Sequence, residues 1–231
     1  MRTTLFASSL LALAIAAPSV QAHQAGDIIV RAGAITVQTD ESSSSVKGDR
    51  GALGAVGNIG GKASINNDTQ LGLNFAYMVT DQWAVELLAA TPFKHDAKIK
   101  GTTALGGAAN GKLGSFKHLP PTLSAVYYPM DSGSVFQPYV GLGVNYTKFF
   151  DESVSSSAKQ RGFTSLNIKD TWGWAAQVGA DYMLTDNIML NGQIRYIDID
   201  TTAYASHSLG RAKVNIDVKP WVYMVGLGYK F

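Results

Sequence analysis

The chain has 231 residues, 19 Lys and Arg against 17 Asp and Glu, a formal net charge of +2 and no cysteine. So even a balance gives no general attraction to nucleic acid, and without thiols there is neither a disulfide framework nor a thiolate metal site. Once an N-terminal segment is set aside, about two hundred residues remain, the size of one domain.

The chain opens on "MRTTLFASSLLALAIAAPSVQA", in which Arg2 precedes an apolar run from Leu5 to Ala17 and the small-residue site Val20-Gln21-Ala22. This is the pattern of a secretory signal peptide, residues 1–22, which leaves a mature chain of residues 23–231 beginning at His23. The run is shorter than the ~20 residues a transmembrane helix needs, and no later segment suits a helical span. Downstream, apolar residues alternate with small or polar ones in eight segments, the period of strands. These are Asp27 to Val37, Thr69 to Val79, Trp83 to Phe93, Leu119 to Tyr128, Phe136 to Thr147, Thr171 to Leu184, Ile188 to Ile199 and Val214 to Phe231.

The faces of these strands differ in kind. In the second, Leu71, Leu73, Phe75 and Tyr77 oppose Gln70, Gly72, Asn74 and Ala76; in the sixth, Trp172, Trp174, Val178 and Tyr182 oppose Gly173, Gln177, Gly179 and Asp181. The closing "WVYMVGLGYKF" repeats the pattern, with Trp221, Tyr223, Val225, Leu227, Tyr229 and Phe231 on one side. A soluble ligand-binding barrel turns its apolar face inward and its polar face to water, but here the second face is too small and glycine-rich to clothe a soluble exterior. An apolar face with aromatic residues near its ends matches lipid and its headgroup level.

The connections alternate too. "TDQ" (Thr80 to Gln82), "PMDSGSV" (Pro129 to Val135) and "TDN" (Thr185 to Asn187) are short turn formers, whereas those after the first, third, fifth and seventh strands are long. The expectation is an all-β, eight-stranded antiparallel transmembrane barrel, an up-and-down meander with periplasmic turns and extracellular loops, in the Gram-negative outer membrane.

Several stretches then resemble one family, the OmpW/AlkL outer-membrane proteins. They include "AGDIIVRAGAITV" from Ala25, "NNDTQLGLNFAYMVTDQWAVELLAATPFKH" from Asn66, "HLPPTLSAVYY" from His118, "PYVGLGVNYTKFFDE" from Pro138 and "YIDIDTTA" from Tyr196. With "LNIKDTWGWAAQVGADYML" from Leu166 and the closing strand, they cover nearly every expected strand. The resemblance implies a barrel that lets small hydrophobic molecules cross the outer membrane. Phe231 resembles the C-terminal signal read by the barrel-assembly machinery. The chain departs from the family at Arg195, where the family pattern has an aromatic residue, and in its Ser- and Gly-rich first loop, Gln38 to Asn67.

The candidate site residues fall in two groups. Arg31, Glu86, Asp181 and Arg195 lie on the inward face with Leu88, as bore-lining or constriction residues. So narrow an interior is filled by its own side chains, and its charges must pair, which favours a plug over an open selectivity ring. Pro92, Pro120 and Pro121 sit near the outer ends of neighbouring strands, where proline cannot donate to a ladder. They either end the pairing or leave a lateral portal to lipid.

"GNIGGKAS" lacks the spacing of a phosphate loop. The histidines, His23, His95, His118 and His207, have no metal-ligand spacing and are expected as solvated loop residues, although His95 and His118 flank one long loop and can approach each other. No cofactor, enzymatic activity or nucleic-acid partner is expected. The expected partners of a monomeric chain are small hydrophobic solutes, outer-membrane lipid and the assembly machinery. The alternative is a non-transporting surface barrel whose loops bind a phage, toxin or host surface.

Overall fold

The computed structural model describes residues 22–231 except Asp40, Thr103, Leu105, Gly106 and Ala108, and leaves the side chains of Glu41 and Ser42 undescribed. Apart from Ala22, the expected signal peptide lies outside the described residues. Among these, eight strands form the barrel wall: β1 (Ile28–Gln38), β2 (Asp68–Met78), β3 (Trp83–Ala90), β4 (Thr122–Tyr127), β5 (Phe136–Val154), β6 (Thr171–Met183), β7 (Ile188–Ile197) and β8 (Trp221–Lys230). Each pairs antiparallel with its chain neighbour; β8 pairs with β1, so the wall has no free edge.

Register settles which face is which, because a slip of one residue would turn every side chain to the other side. Leu71, Phe75, Leu123, Trp174, Leu190 and Tyr223 point outward, and Leu142 and Val225 are 69% and 63% exposed. So large an apolar exterior is a surface for hydrocarbon. It ends in rings: Trp83 meets Tyr127 at 5.0 Å at the short-turn end, while Tyr146 meets Trp172 at 4.7 Å and Tyr196 meets Trp221 at 5.4 Å at the other. There Trp174 Nε1 donates to Asp198 (3.0 Å) and the Tyr146 hydroxyl to Asp170 (3.0 Å), as amphipathic rings do at an interface.

The long connections are not mainly loops. Phe93–Lys100 pairs with Gly111–Leu119, and that strand pairs with the upper part of β5, which runs on to Val154 rather than ending at Thr147. Ile199–His207 pairs with Gly210–Val218 and with Phe163–Ile168. The first long segment adds Val46–Arg50, the six-residue helix Gly51–Val56 and short strands, fastened where Arg211 and Lys213 meet Asp49 at 2.7 and 3.4 Å. The barrel thus continues upward into a β-tower.

Four expected boundaries are corrected by this. The strand expected from Trp83 to Phe93 stops at Ala90, the one from Leu119 begins at Thr122, the one from Ile188 stops at Ile197, and the one from Val214 breaks at Lys219-Pro220. Prolines account for three of the four, since none can donate to the ladder it interrupts.

Candidate functional site

Small inward residues make room for large ones. A Cβ on Gly179 would lie 2.5 Å from the Tyr139 ring, so the bare backbone there is what lets that ring lie across the bore. Alternation along β1, β3, β6 and β7 then delivers Arg31, Glu86, Asp181 and Arg195 to the same interior, each at most 1% exposed. Arg31 donates from Nε and Nη2 to the two Asp181 oxygens (3.0 and 2.5 Å), from Nη1 to Asn74 (3.0 Å) and from Nη2 to the Tyr128 hydroxyl (2.9 Å). Arg195 donates to Glu86 Oε1 at 2.7 Å and to Gln177, whose own amide reaches Glu86 at 2.9 Å. Glu86 Oε2 lies 3.5 Å from Arg31 and joins the two halves. Buried charges survive only when paired in this way, and breaking such a pair costs about 3–5 kcal/mol.

Beneath this layer Ile29, Met78, Tyr128, Tyr139 and Met189 form one buried cluster. His23 reaches into it, 3.2 Å from Asp181 and edge-on to Tyr128, so it is not the solvated terminus that was expected. Above the charges the interior turns apolar. Ile35, Leu88, Val222 and Met224 belong to a cluster that continues through Phe93, Phe116, Leu166, Val214 and Ile216 into the tower. The tower holds a cavity of about 50 Å³ lined mainly by such residues, and a smaller one of about 30 Å³ forms a neck toward the barrel. Phe116 and Phe149 line both.

The wall has a break at the level of Leu88. The β3–β4 ladder ends at Leu88↔Thr122, and pairing between the same two chain segments resumes only at Phe93↔His118. In between, the edges turn away from each other. The Thr91 amide bonds to Leu71 of β2 at 2.9 Å, and Leu119 pairs with Lys148 of β5. The Pro120 and Pro121 carbonyls accept from Asn145 Nδ2 on β5 (3.0 and 3.1 Å), and the second also accepts from the Tyr146 amide at 3.1 Å. Ala89, Ala90, Pro92, Pro120 and Pro121 border this interval, and Pro92 is exposed on the outer wall.

The histidines also fall elsewhere than expected. His95 and His118 are buried on paired strands, 1% and 7% exposed, with ring centroids 4.8 Å apart in the neck. Desolvation lowers the basicity of both and pushes His118 down to about 3. Only His207 is partly exposed, 2.7 Å from the Arg161 carbonyl. Among the described residues the Nε2 atoms of His95 and His118 have no hydrogen-bond partner. Among the described residues no group of three or more His, Cys, Asp or Glu is placed to hold a metal ion. The neck and tower lining was not anticipated, although the alternation of Phe116 and His118, and of Ala212, Val214, Ile216 and Val218, carried the signal.

A closed barrel with an apolar exterior, aromatic girdles and a polar, plugged bore defines an outer-membrane β-barrel protein. A family model described as the OmpW family matches residues 24–231, and the chain belongs to that family. Outer membrane protein W of Escherichia coli (strain K12) is 45% identical over 215 residues, 92% of each chain. Outer membrane protein AlkL of Ectopseudomonas oleovorans is 33% identical over 180 residues, 75% of this chain and 74% of that one. The crystal structure of the outer membrane protein OprG from Pseudomonas aeruginosa matches with a TM-score of 0.84 at 49% identity, covering 92% of this chain and 99% of that chain. With this location, the short turns face the periplasm and the tower stands outside the cell.

Proposed function

We propose that this protein passively conducts small hydrophobic molecules into the outer membrane. Such solutes enter the tower, descend to the neck, and leave sideways into lipid between β3 and β4. The observation that carries this reading is a coincidence of height. The apolar path ends on the Glu86–Arg195 layer at the level where the wall ladder is interrupted.

In this reading Arg31, Glu86, Asp181 and Arg195 form the plug, Leu88 stands at the turning point, and Pro92, Pro120 and Pro121 keep the wall unpaired. Transfer of apolar surface from water to such a lining is favourable by about 25 cal/mol per Å², and lipid beyond the gap offers the same reward, so no energy input is required. The protein acts as a monomer and not as an enzyme. The N-terminal segment is removed on export, and Phe231 serves recognition by the barrel-assembly machinery.

The test is uptake by cells lacking or carrying the protein, using one hydrocarbon-like and one sugar-like probe of matched size. The expected result is acceleration of the apolar probe alone. Acceleration of both would mean an open aqueous pore, and acceleration of neither would favour a surface-binding role for the tower.

A further inference from the structure

We infer that the His95–His118 pair is a recognition site for a single hydroxyl group on an otherwise apolar solute, such as an alcohol or a phenol. The inference rests on the chamber being the path of the solute and goes further by naming what the neck selects.

The protonation of one ring is fixed by its neighbour. His95 Nδ1 lies 2.6 Å from the Asn66 carbonyl oxygen, which can only accept, so Nδ1 carries the hydrogen. His95 Nε2 is therefore a bare acceptor, and among the described residues it has no donor within reach. His118 Nε2 is also without a partner among these residues and, in one tautomer of the neutral ring, is a donor. A hydroxyl both donates and accepts. It can give its hydrogen to His95 and take one from His118, which neither a hydrocarbon nor an ether can do.

The surroundings favour the rest of such a molecule. Phe93 lies 5.3 Å from the His118 ring, Phe116 lies 5.7 Å from the His95 ring, and Phe149 lies 5.8 Å from both His118 and Phe116. The nearby carboxylate of Asp68 is already engaged by the Lys94 amide and the Gln70 side chain. An anionic solute would meet Asp68 and the His95 lone pair without a compensating cation, so the fitting ligand is neutral. Position adds to the case, because His118 belongs to the first pair above the break in the wall.

The experiment uses the full-length mature protein in lipid nanodiscs, with empty discs as the blank, and follows displacement of pyrene by 1-naphthol and by 1-methoxynaphthalene. These differ chiefly in the hydroxyl hydrogen. One added net hydrogen bond corresponds to a preference of about 5-fold for 1-naphthol. His95→Phe, which keeps a ring and loses the acceptor, should bring the two to parity. In parallel, the His95 Nε2 nitrogen resonance of the unmodified protein should move on adding 1-naphthol and stay in place with the ether. This readout stands even if the variant does not fold. Equal displacement by the two compounds, or an unmoved resonance, would overturn the hydroxyl site while leaving the chamber intact. No pyrene binding above empty discs would overturn both.

Discussion

At the residue scale, burial governs both groups of ionisable side chains and does so in opposite ways. In the barrel the charges are kept and paired, Arg31 with Asp181 and Arg195 with Glu86, because alternation on neighbouring strands brings opposite signs together. In the neck burial keeps the His118 ring neutral, the Asp68 charge offsetting it only in part, and its folded-state value falls from 6.5 to about 3. The unfolded chain therefore binds more protons than the folded one between those two values, and stability is full above 6.5 and declines as the pH falls through that window. Between pH 6.5 and 5 the His118 contribution is about 2 kcal/mol. Midpoints of urea unfolding in detergent should drop on acidification over that range. His118→Phe should remove most of the drop, with His95, whose basicity burial also lowers, supplying the remainder. The sequence showed that the two histidines flank one loop. It did not show that they are buried, because their strands are short and broken by Pro92 and Pro120.

At the scale of elements, proline decides where the wall ladder stops. β3 and β4 pair from Trp83↔Tyr127 to Leu88↔Thr122, then part for the length of the Pro92 and Pro120-Pro121 segments. Asn145 stabilises the parted state by taking the two proline carbonyls to the β5 side. Replacing Pro120 and Pro121 together with valine supplies two amide donors and favours extended pairing. The expected outcome is a fall in apolar uptake toward the level of cells lacking the protein, with folding intact by heat-dependent gel mobility. Unchanged uptake would remove the support for lateral exit. The position of these prolines was legible at once, and so were the eight barrel strands, because a period of two over ten residues has few other solutions. The short strands of the tower were not, since runs such as Val46–Arg50 and Phe163–Ile168 are too brief and too polar to stand out.

At the scale of the whole molecule, a lipid-facing barrel closed by a polar plug carries an apolar chamber on its outer end. The chamber exists only because Ile199–His207, Gly210–Val218 and the Phe93–Leu119 hairpin stand together above the membrane. Replacing residues 199–218 by a short turn should leave a folded barrel in the outer membrane, because β7 and β8 keep their own pairing from Ile188↔Tyr229 to Tyr196↔Trp221. Apolar uptake should nonetheless fall to background, as measured with the same hydrocarbon-like probe. The sequence by itself determined the barrel, its strand count, the lipid-facing side and the inward charges, because each follows from local alternation and from turn chemistry. Only the tertiary structure decided that the long connections rise as a tower, that the two histidines meet in its neck and that the wall parts beside them. Those features depend on contacts between segments far apart in the chain, such as Asn145 with Pro120 or Arg211 with Asp49, which local patterning does not encode.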